Sequence, residues 1–176
     1  MSTAVTMTAA VAHLMELPAK MRYEPALWVR LHRTLYPNFG RTAGPAEAAA
    51  VISTHLLAWW TRRERPEAFR STAVAAACLA GAHAIFWGVV QPVNVEVMRW
   101  PLDAIPHDWE SRRDRWEYGH AIRAGLVTAA LAALVASMKS PVKSIAIGVD
   151  RENHGRQSRA HAVGRDRASE HCVRVR

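Results

Sequence analysis

The stretch TAVAAACLAGAHAIFWGVVQPVNV, Thr72–Val95, carries no formal charge and is apolar on every side. At a rise of about 1.5 Å per residue, it can cross about 30 Å of hydrocarbon as a single helix. A helix that is apolar all round belongs either in a protein core or in a membrane. Three weaker apolar segments surround it: Thr3–Leu17, closed by Pro18 and Lys20; Pro45–Trp60, with Glu47 and His55; and Ala121–Met138, with Arg123 near its start. The second and fourth segments reach spanning length only with their flanks, and the first is short. A soluble Ala-rich core helix would read the same way. The aromatic residues at segment ends favour the membrane, because Trp and Tyr collect at the headgroup level. Trp59 and Trp60 close one segment, Trp100 follows the next, and Trp116 and Tyr118 precede the last. The expected fold is an all-α integral membrane four-helix bundle over residues 1–138. Its helices are expected at about 3–17, 45–61, 72–95 and 120–138.

The rest of the composition fits this division. The 176 residues suffice for one domain, and half are hydrophobic although the mean hydropathy is only −0.09. The charges are segregated between the apolar segments. A net charge of +8 could point to nucleic acid, but much of it lies in residues 139–176, and basic flanks are ordinary beside membrane spans. No nucleic-acid partner is expected. Residues 139–176, rich in Arg, Ser, Gly and His, are expected to be a disordered basic tail. Cys78 and Cys172 form no disulfide framework or zinc spacing. Thr3–Leu17 lacks a basic n-region and is read as a first membrane helix rather than a secretory signal. Arg62, Arg63, Arg65 and Arg70 crowd one short connection, and Lys139 and Lys143 follow the last segment. The positive-inside rule therefore puts both termini in the cytoplasm. In the two outer loops, Pro25–Tyr36 sets Leu27, Trp28, Leu31 and Leu35 opposite Arg30 and Arg33, and Asp108–Tyr118 is also helix-like. Both are expected to lie in the membrane interface.

Polar residues interrupt the apolar segments in a pattern. At 100° per residue, Trp109, Arg113, Trp116, His120 and Arg123 fall within an arc of about 80°, as do His83, Trp87, Gln91 and Asn94. His13, Glu16 and Lys20 share a narrower arc unless Pro18 distorts it. With the N-terminus inside, most of these groups approach the outer end, while His55 and His83 lie nearer mid-depth. Ionisable groups in a membrane should face the bundle interior and pair, with Glu16 or Glu47 as the expected partner of Arg123. Arginines at this depth can also simply snorkel, and Gln91 and Asn94 can simply bridge helices. Four histidines raise the question of metal or haem. No Glu-x-x-His pair recurs on two helices as in a di-iron bundle, and no metal or cofactor is expected.

The run His13-Leu14-Met15-Glu16-Leu17-Pro18-Ala19-Lys20-Met21 and the block Gln91-Pro92-Val93-Asn94…Trp109…Arg113-x-x-Trp116-x-x-x-His120-x-x-Arg123 resemble the anthrone oxygenase-like family of small four-helix membrane proteins. Most of its bacterial members have no known function. The resemblance covers roughly residues 5–138 and implies a bacterial plasma membrane. It also implies oxidation of an anthrone-like polycyclic aromatic by molecular oxygen without an obvious cofactor. On that reading His120 would serve as general base, and Arg123 or Arg113 would stabilise the oxyanion. Trp109 and Trp116 would wall the ring system, with Asn94, His13 and Glu16 as further substrate contacts. Besides such a substrate, membrane lipids are the expected partners. The competing reading is a non-enzymatic membrane module that binds a lipid, a quinone or a partner protein. An open aromatic-lined cavity beside His120 would favour an enzyme or ligand binder, and a filled bundle a structural role.

Overall fold

A computed structural model describes residues 2–139, so the tail from 140 onward lies outside the described residues. Among the described residues all regular structure is helical. Five helices follow in order: α1 (Ser2–Lys20), α2 (Pro25–Thr34), α3 (Tyr36–Glu64), α4 (Pro66–Val97) and α5 (Trp109–Lys139). α4 and α5 are long and apolar enough to cross a membrane, and this is compatible with membrane association. Their outward faces carry large exposed apolar side chains, among them Val74, Trp87, Ile122, Val135 and Met138.

Each long helix outruns the segment expected from hydropathy. α1 continues past Pro18 to Lys20, because a proline in the last turn removes only one backbone bond. The consequence is local and important: His13, Glu16 and Lys20 stay in helical phase. α3 begins at Tyr36 rather than near 45, with Pro37 in its first turn, where the missing N–H costs nothing. Gly40, Gly44 and Pro45 are therefore helical, although their propensities argue against it. α5 is one continuous helix, and the expected separate outer-loop helix at Asp108–Tyr118 is its first third. Its 31 residues extend about 46 Å, well beyond a hydrocarbon core of about 30 Å.

Pro92 explains the one irregularity. It has no N–H for the carbonyl of Gly88, four residues back, and α4 widens into a π turn at Phe86–Val90, where the Gln91 N–H bonds the Phe86 carbonyl. Arg115 on α5 donates to the freed Gly88 carbonyl at 3.1 Å. At the same level α5 presents Gly119, whose missing side chain admits Val89 and Val90; a Cβ there would lie 3.0 Å from Val90 Cγ2.

The core has two parts. An Ala-rich cluster of Ala50, Ala75, Leu79, Ala82, Val127 and Ala130 closes the bundle at one end. Small residues let the backbones approach closely, and a Thr61–Thr72 hydroxyl bond of 2.7 Å joins α3 to α4 beside it. At the other end an aromatic cluster gathers Trp28, Tyr36, Trp100 and Trp116 with Val90, Val93 and Val97. α2 is clamped into this cluster rather than lying on the outside. Trp28, Val29 and His32 are its buried face, while Leu27 and Leu35 are exposed. The inward face is thus rotated from the leucine stripe expected of it. Arg33 fixes the arrangement by donating to the Trp100 carbonyl.

Candidate functional site

Between the two core clusters lies a cavity of about 700 Å³, walled by α1, α2, α3, α4 and α5. One wall is made of small residues on α3 (Gly40, Ala43, Gly44 and Ala48), and a Cβ added at Gly40 or Gly44 meets nothing within 4 Å. These glycines hold space open. The opposite wall is aromatic and polar, with His13, His32, Tyr36, Trp116 and His120 in mutual ring contact. His13 and His120 stack with ring centroids 4.2 Å apart.

The orientation of each imidazole follows from what touches Nδ1. Arg123 reaches three groups at once: Nε donates to the Ala82 carbonyl at 3.1 Å, Nη1 to His120 Nδ1 at 3.1 Å, and Nη2 to Glu47 Oε2 at 2.5 Å. A guanidinium has no lone pair to give, so His120 Nδ1 is an acceptor and neutral His120 carries its proton on Nε2. It therefore meets a ligand as a donor, which does not suit the general-base role expected of it. Glu47, expected as one of two partners for Arg123, is the one in contact. Its other oxygen lies 3.3 Å from His83 Nδ1, and His83 Nε2 accepts from the Trp87 indole at 2.9 Å.

His13 is set in the same way from the other side. Lys20 Nζ lies 3.3 Å from His13 Nδ1, 3.3 Å from Glu16 and 3.1 Å from Glu117. It also sits 4.8 Å from the Trp116 ring centroid. Lys20 and Glu117 are each only 1% exposed, so this is a buried ion pair, and Glu117 accepts a further bond from the Trp28 indole at 3.2 Å. With an ammonium donating to Nδ1, neutral His13 also presents Nε2–H. His32 is the opposite case: its Nδ1 faces the Trp28 carbonyl at 3.4 Å and must be the donor, leaving Nε2 as a lone pair.

Several residues expected to contact substrate have other tasks. Asn94 accepts from the Trp116 indole at 2.7 Å and donates to Gln91 at 3.1 Å, so it orients Trp116. Trp109 and Arg113 lie off the cavity wall. Arg113 stacks over Trp109 and bonds Asp114 and the Met21 carbonyl, clasping the α1–α2 turn. Glu16 is 41% exposed and acts on Lys20. His55 is exposed and bonds its own helix at Val51. Thus His13, Asn94, Trp116, His120 and Arg123 converge on the cavity, while Trp109, Arg113 and Glu16 do not. The residues that sequence reasoning passed over are His32, Tyr36 and Glu117. The i, i+4, i+8 spacing of Trp28, His32 and Tyr36 was the visible signal for the two rings, and no comparable spacing marked Glu117. Among the described residues, no three His, Cys, Asp or Glu side chains converge as a metal ion would need.

A family model described as anthrone oxygenase matches residues 33–133. No curated protein and no solved structure matches the chain. The matched span holds Glu47, His83, Asn94, Trp116, His120 and Arg123. His13, Lys20 and His32 precede it.

Proposed function

The chain belongs to the anthrone oxygenase family, and from that premise we propose that it is an integral membrane oxygenase that oxidises a flat, anthrone-like aromatic with O₂ and without an organic cofactor. The observation that carries this reading is the cavity beside His120. Its volume falls in the ordinary range for small-molecule sites, about 300–1,000 Å³, and its walls combine aromatic rings with a few fixed donors.

The overall chemistry converts an aryl–CH₂–aryl carbon to a carbonyl: substrate and O₂ give quinone and water. Loss of one C–H proton leaves a carbanion whose charge spreads onto the existing ring carbonyl. The carbanion carbon adds O₂, and the resulting peroxide takes up a proton. Loss of the second C–H proton with cleavage of the O–O bond then forms the new carbonyl and releases water. One oxygen atom enters the product and the other leaves in water.

The residues suit the first of these steps. The Nε2–H groups of His120 and His13 are stacked donors for a carbonyl oxygen that becomes an enolate, and each is held in its tautomer by a neighbouring cation. Arg123 acts through His120, since three of its donors are already engaged. Preorganised donors of this kind act where charge develops, in surroundings from which water is excluded. Trp116 and Phe39 supply flat apolar walls.

The test is turnover of anthrone by purified protein under ¹⁸O₂ with a chelator present. The expected result is one labelled oxygen per anthraquinone, and a drop of about 100-fold or more in His120→Ala, the scale of losing an oxyanion donor. No turnover, or turnover undiminished in His120→Ala, sinks the assignment. Tight anthrone binding without turnover would favour the non-enzymatic ligand-binding reading.

A further inference from the structure

A ligand must reach the cavity from outside, and the described residues close both ends of the bundle. The Ala-rich cluster fills one end. The aromatic cluster fills the other, where Trp28, Val29 and Trp116 are at most 1% exposed. Among the described residues that line the cavity, only Gly40, Gly44, Ala48, Trp87 and Met98 are exposed. The first three lie on α3, Trp87 lies on α4, and Met98 caps the end of α4. The lining residues on α1, α2 and α5 are all buried or half-buried. The cavity thus opens sideways, between α3 and α4.

Two contacts set the register of these antiparallel helices: Thr61 bonds Thr72 at 2.7 Å, and Glu47 lies 3.3 Å from His83. One and two turns beyond Glu47 come Gly44 and Gly40, and one and two turns beyond His83 come Trp87 and Gln91. Large side chains on α3 would close the seam there. Instead α3 offers glycine twice, and a Cβ at either position meets nothing within 4 Å. The seam is packed as far as Glu47 and His83 and parts beyond them. Trp87 is held at the edge of the gap by its indole bond to His83 at 2.9 Å. Depth decides what lies outside. Arg62, Arg63, Arg65 and Arg70 mark the water-facing end of α3 and α4. Gly44 is about 26 Å along α3 from Thr61, and Trp87 is about 22 Å along α4 from Thr72. Both fall short of a hydrocarbon thickness of about 30 Å, and none of the five exposed lining residues is charged.

We propose that the gap between α3 and α4 is a lateral portal, through which a neutral, membrane-dissolved aromatic enters the cavity directly from the bilayer. This rests on the membrane-embedded ligand cavity of the reading above, not on its oxygen chemistry. The portal narrows the substrate class. A ring system already partitioned into lipid keeps apolar surroundings along the whole path, from acyl chains past Gly40, Gly44 and Trp87 to the aromatic wall. A glycosylated or ionised analogue would have to shed its hydration to take the same path, and buried polar groups without partners are costly.

The experiment places a nitroxide at the edge of the gap in the folded, full-length protein in lipid vesicles. Gly40→Cys and Ala48→Cys are labelled on a Cys78→Ala/Cys172→Ser background. Leu56→Cys, on the outward face of α3, is the control. Spin relaxation by O₂, which concentrates in hydrocarbon, and by a water-soluble nickel chelate reads what surrounds each label. O₂ should dominate at positions 40 and 48, as at Leu56. Dominance of the nickel chelate, or exclusion of both, overturns the portal. The same cysteines carrying a diamagnetic label of equal size are then mixed with vesicles preloaded with anthrone, and uptake is read by tryptophan fluorescence. Labels at 40 and 48 should slow uptake and release together by about tenfold, a barrier of about 1.4 kcal/mol, with an unchanged dissociation constant. The label at Leu56 should leave wild-type rates. Wild-type rates with labels at 40 and 48 overturn the portal even if anthrone is oxidised. A wild type that does not bind anthrone overturns the functional reading instead, a different result, and O₂-dominated labels would still support the portal.

Discussion

Replacing Lys20 by Met should destabilise the protein far more than its position at the end of a helix suggests. The ammonium and the Glu117 carboxylate are both almost fully buried and lie 3.1 Å apart. Without Lys20, Glu117 keeps only the Trp28 indole as a hydrogen-bond donor. Breaking a buried pair by removing one partner costs about 3–5 kcal/mol, because the remaining charge is stranded. Glu117→Gln should cost less, since Lys20 retains Glu16 and His13, and the new amide oxygen can still accept from Trp28. The double variant Lys20→Met/Glu117→Gln removes both charges and should recover about 2 kcal/mol relative to the sum of the single changes. Reversible denaturant unfolding in detergent, followed by tryptophan fluorescence, measures all four species. A loss below about 1 kcal/mol in Lys20→Met, the range of an exposed pair, would refute the buried-pair argument. So would strict additivity in the double variant. The same variant should release His13, allowing its neutral ring to take either tautomer in ¹⁵N spectra.

Gly44→Leu should fill the cavity without harming the fold, because nothing lies near a Cβ at that position; anthrone affinity should fall at least about tenfold, or about 1.4 kcal/mol, at an unchanged unfolding midpoint. Gly119→Ala should instead cost about 1–3 kcal/mol as an overpacking change, since its Cβ would press on Val89 and Val90 at the π turn; an unchanged midpoint would contradict the close approach of α4 and α5. Burial pushes the His32 pKa from 6.5 down to about 3. The folded protein thus resists the proton that the unfolded chain accepts. Stability should be full above about pH 6.5 and decline below it, by up to about 1.4 kcal/mol per unit from this one group. Unfolding midpoints between pH 7.5 and 4.5 should show a shallower decline in His32→Gln than in wild type.

The helical architecture was legible in the sequence because long charge-free runs leave a segment few alternatives. Thr72–Val95 falls within α4, and the polar stripe on α5 does bring Trp116, His120 and Arg123 to one cavity. Hydropathy missed the ends of the helices. Pro18 and Pro45 read as boundaries by propensity, but packing carried α1 and α3 through them. Phase could not say where along a stripe the cavity stops, so Trp109 and Arg113 were grouped with residues one and two turns below them. α2 was the hardest element: its leucines suggested an outward apolar face, whereas Trp28 and His32 turn inward against Tyr36 of α3. Tautomers were beyond reach, because a shared helical arc does not say that Lys20 Nζ and Arg123 Nη1 turn back onto the Nδ1 atoms of His13 and His120.

The claim on which the rest depends is that the ligand sits between α1, α3 and α5 beside His120. Photolabelling with benzophenone, a diaryl ketone of the same chemical character as the proposed substrate, tests this directly when the adducts are mapped by peptide mass spectrometry. Adducts should concentrate on cavity residues such as Phe39, Met98 and Val127, and excess anthrone should suppress them. Adducts confined to the outward-facing Leu56, Val135 or Met138, or insensitive to anthrone, would contradict the placement of the site.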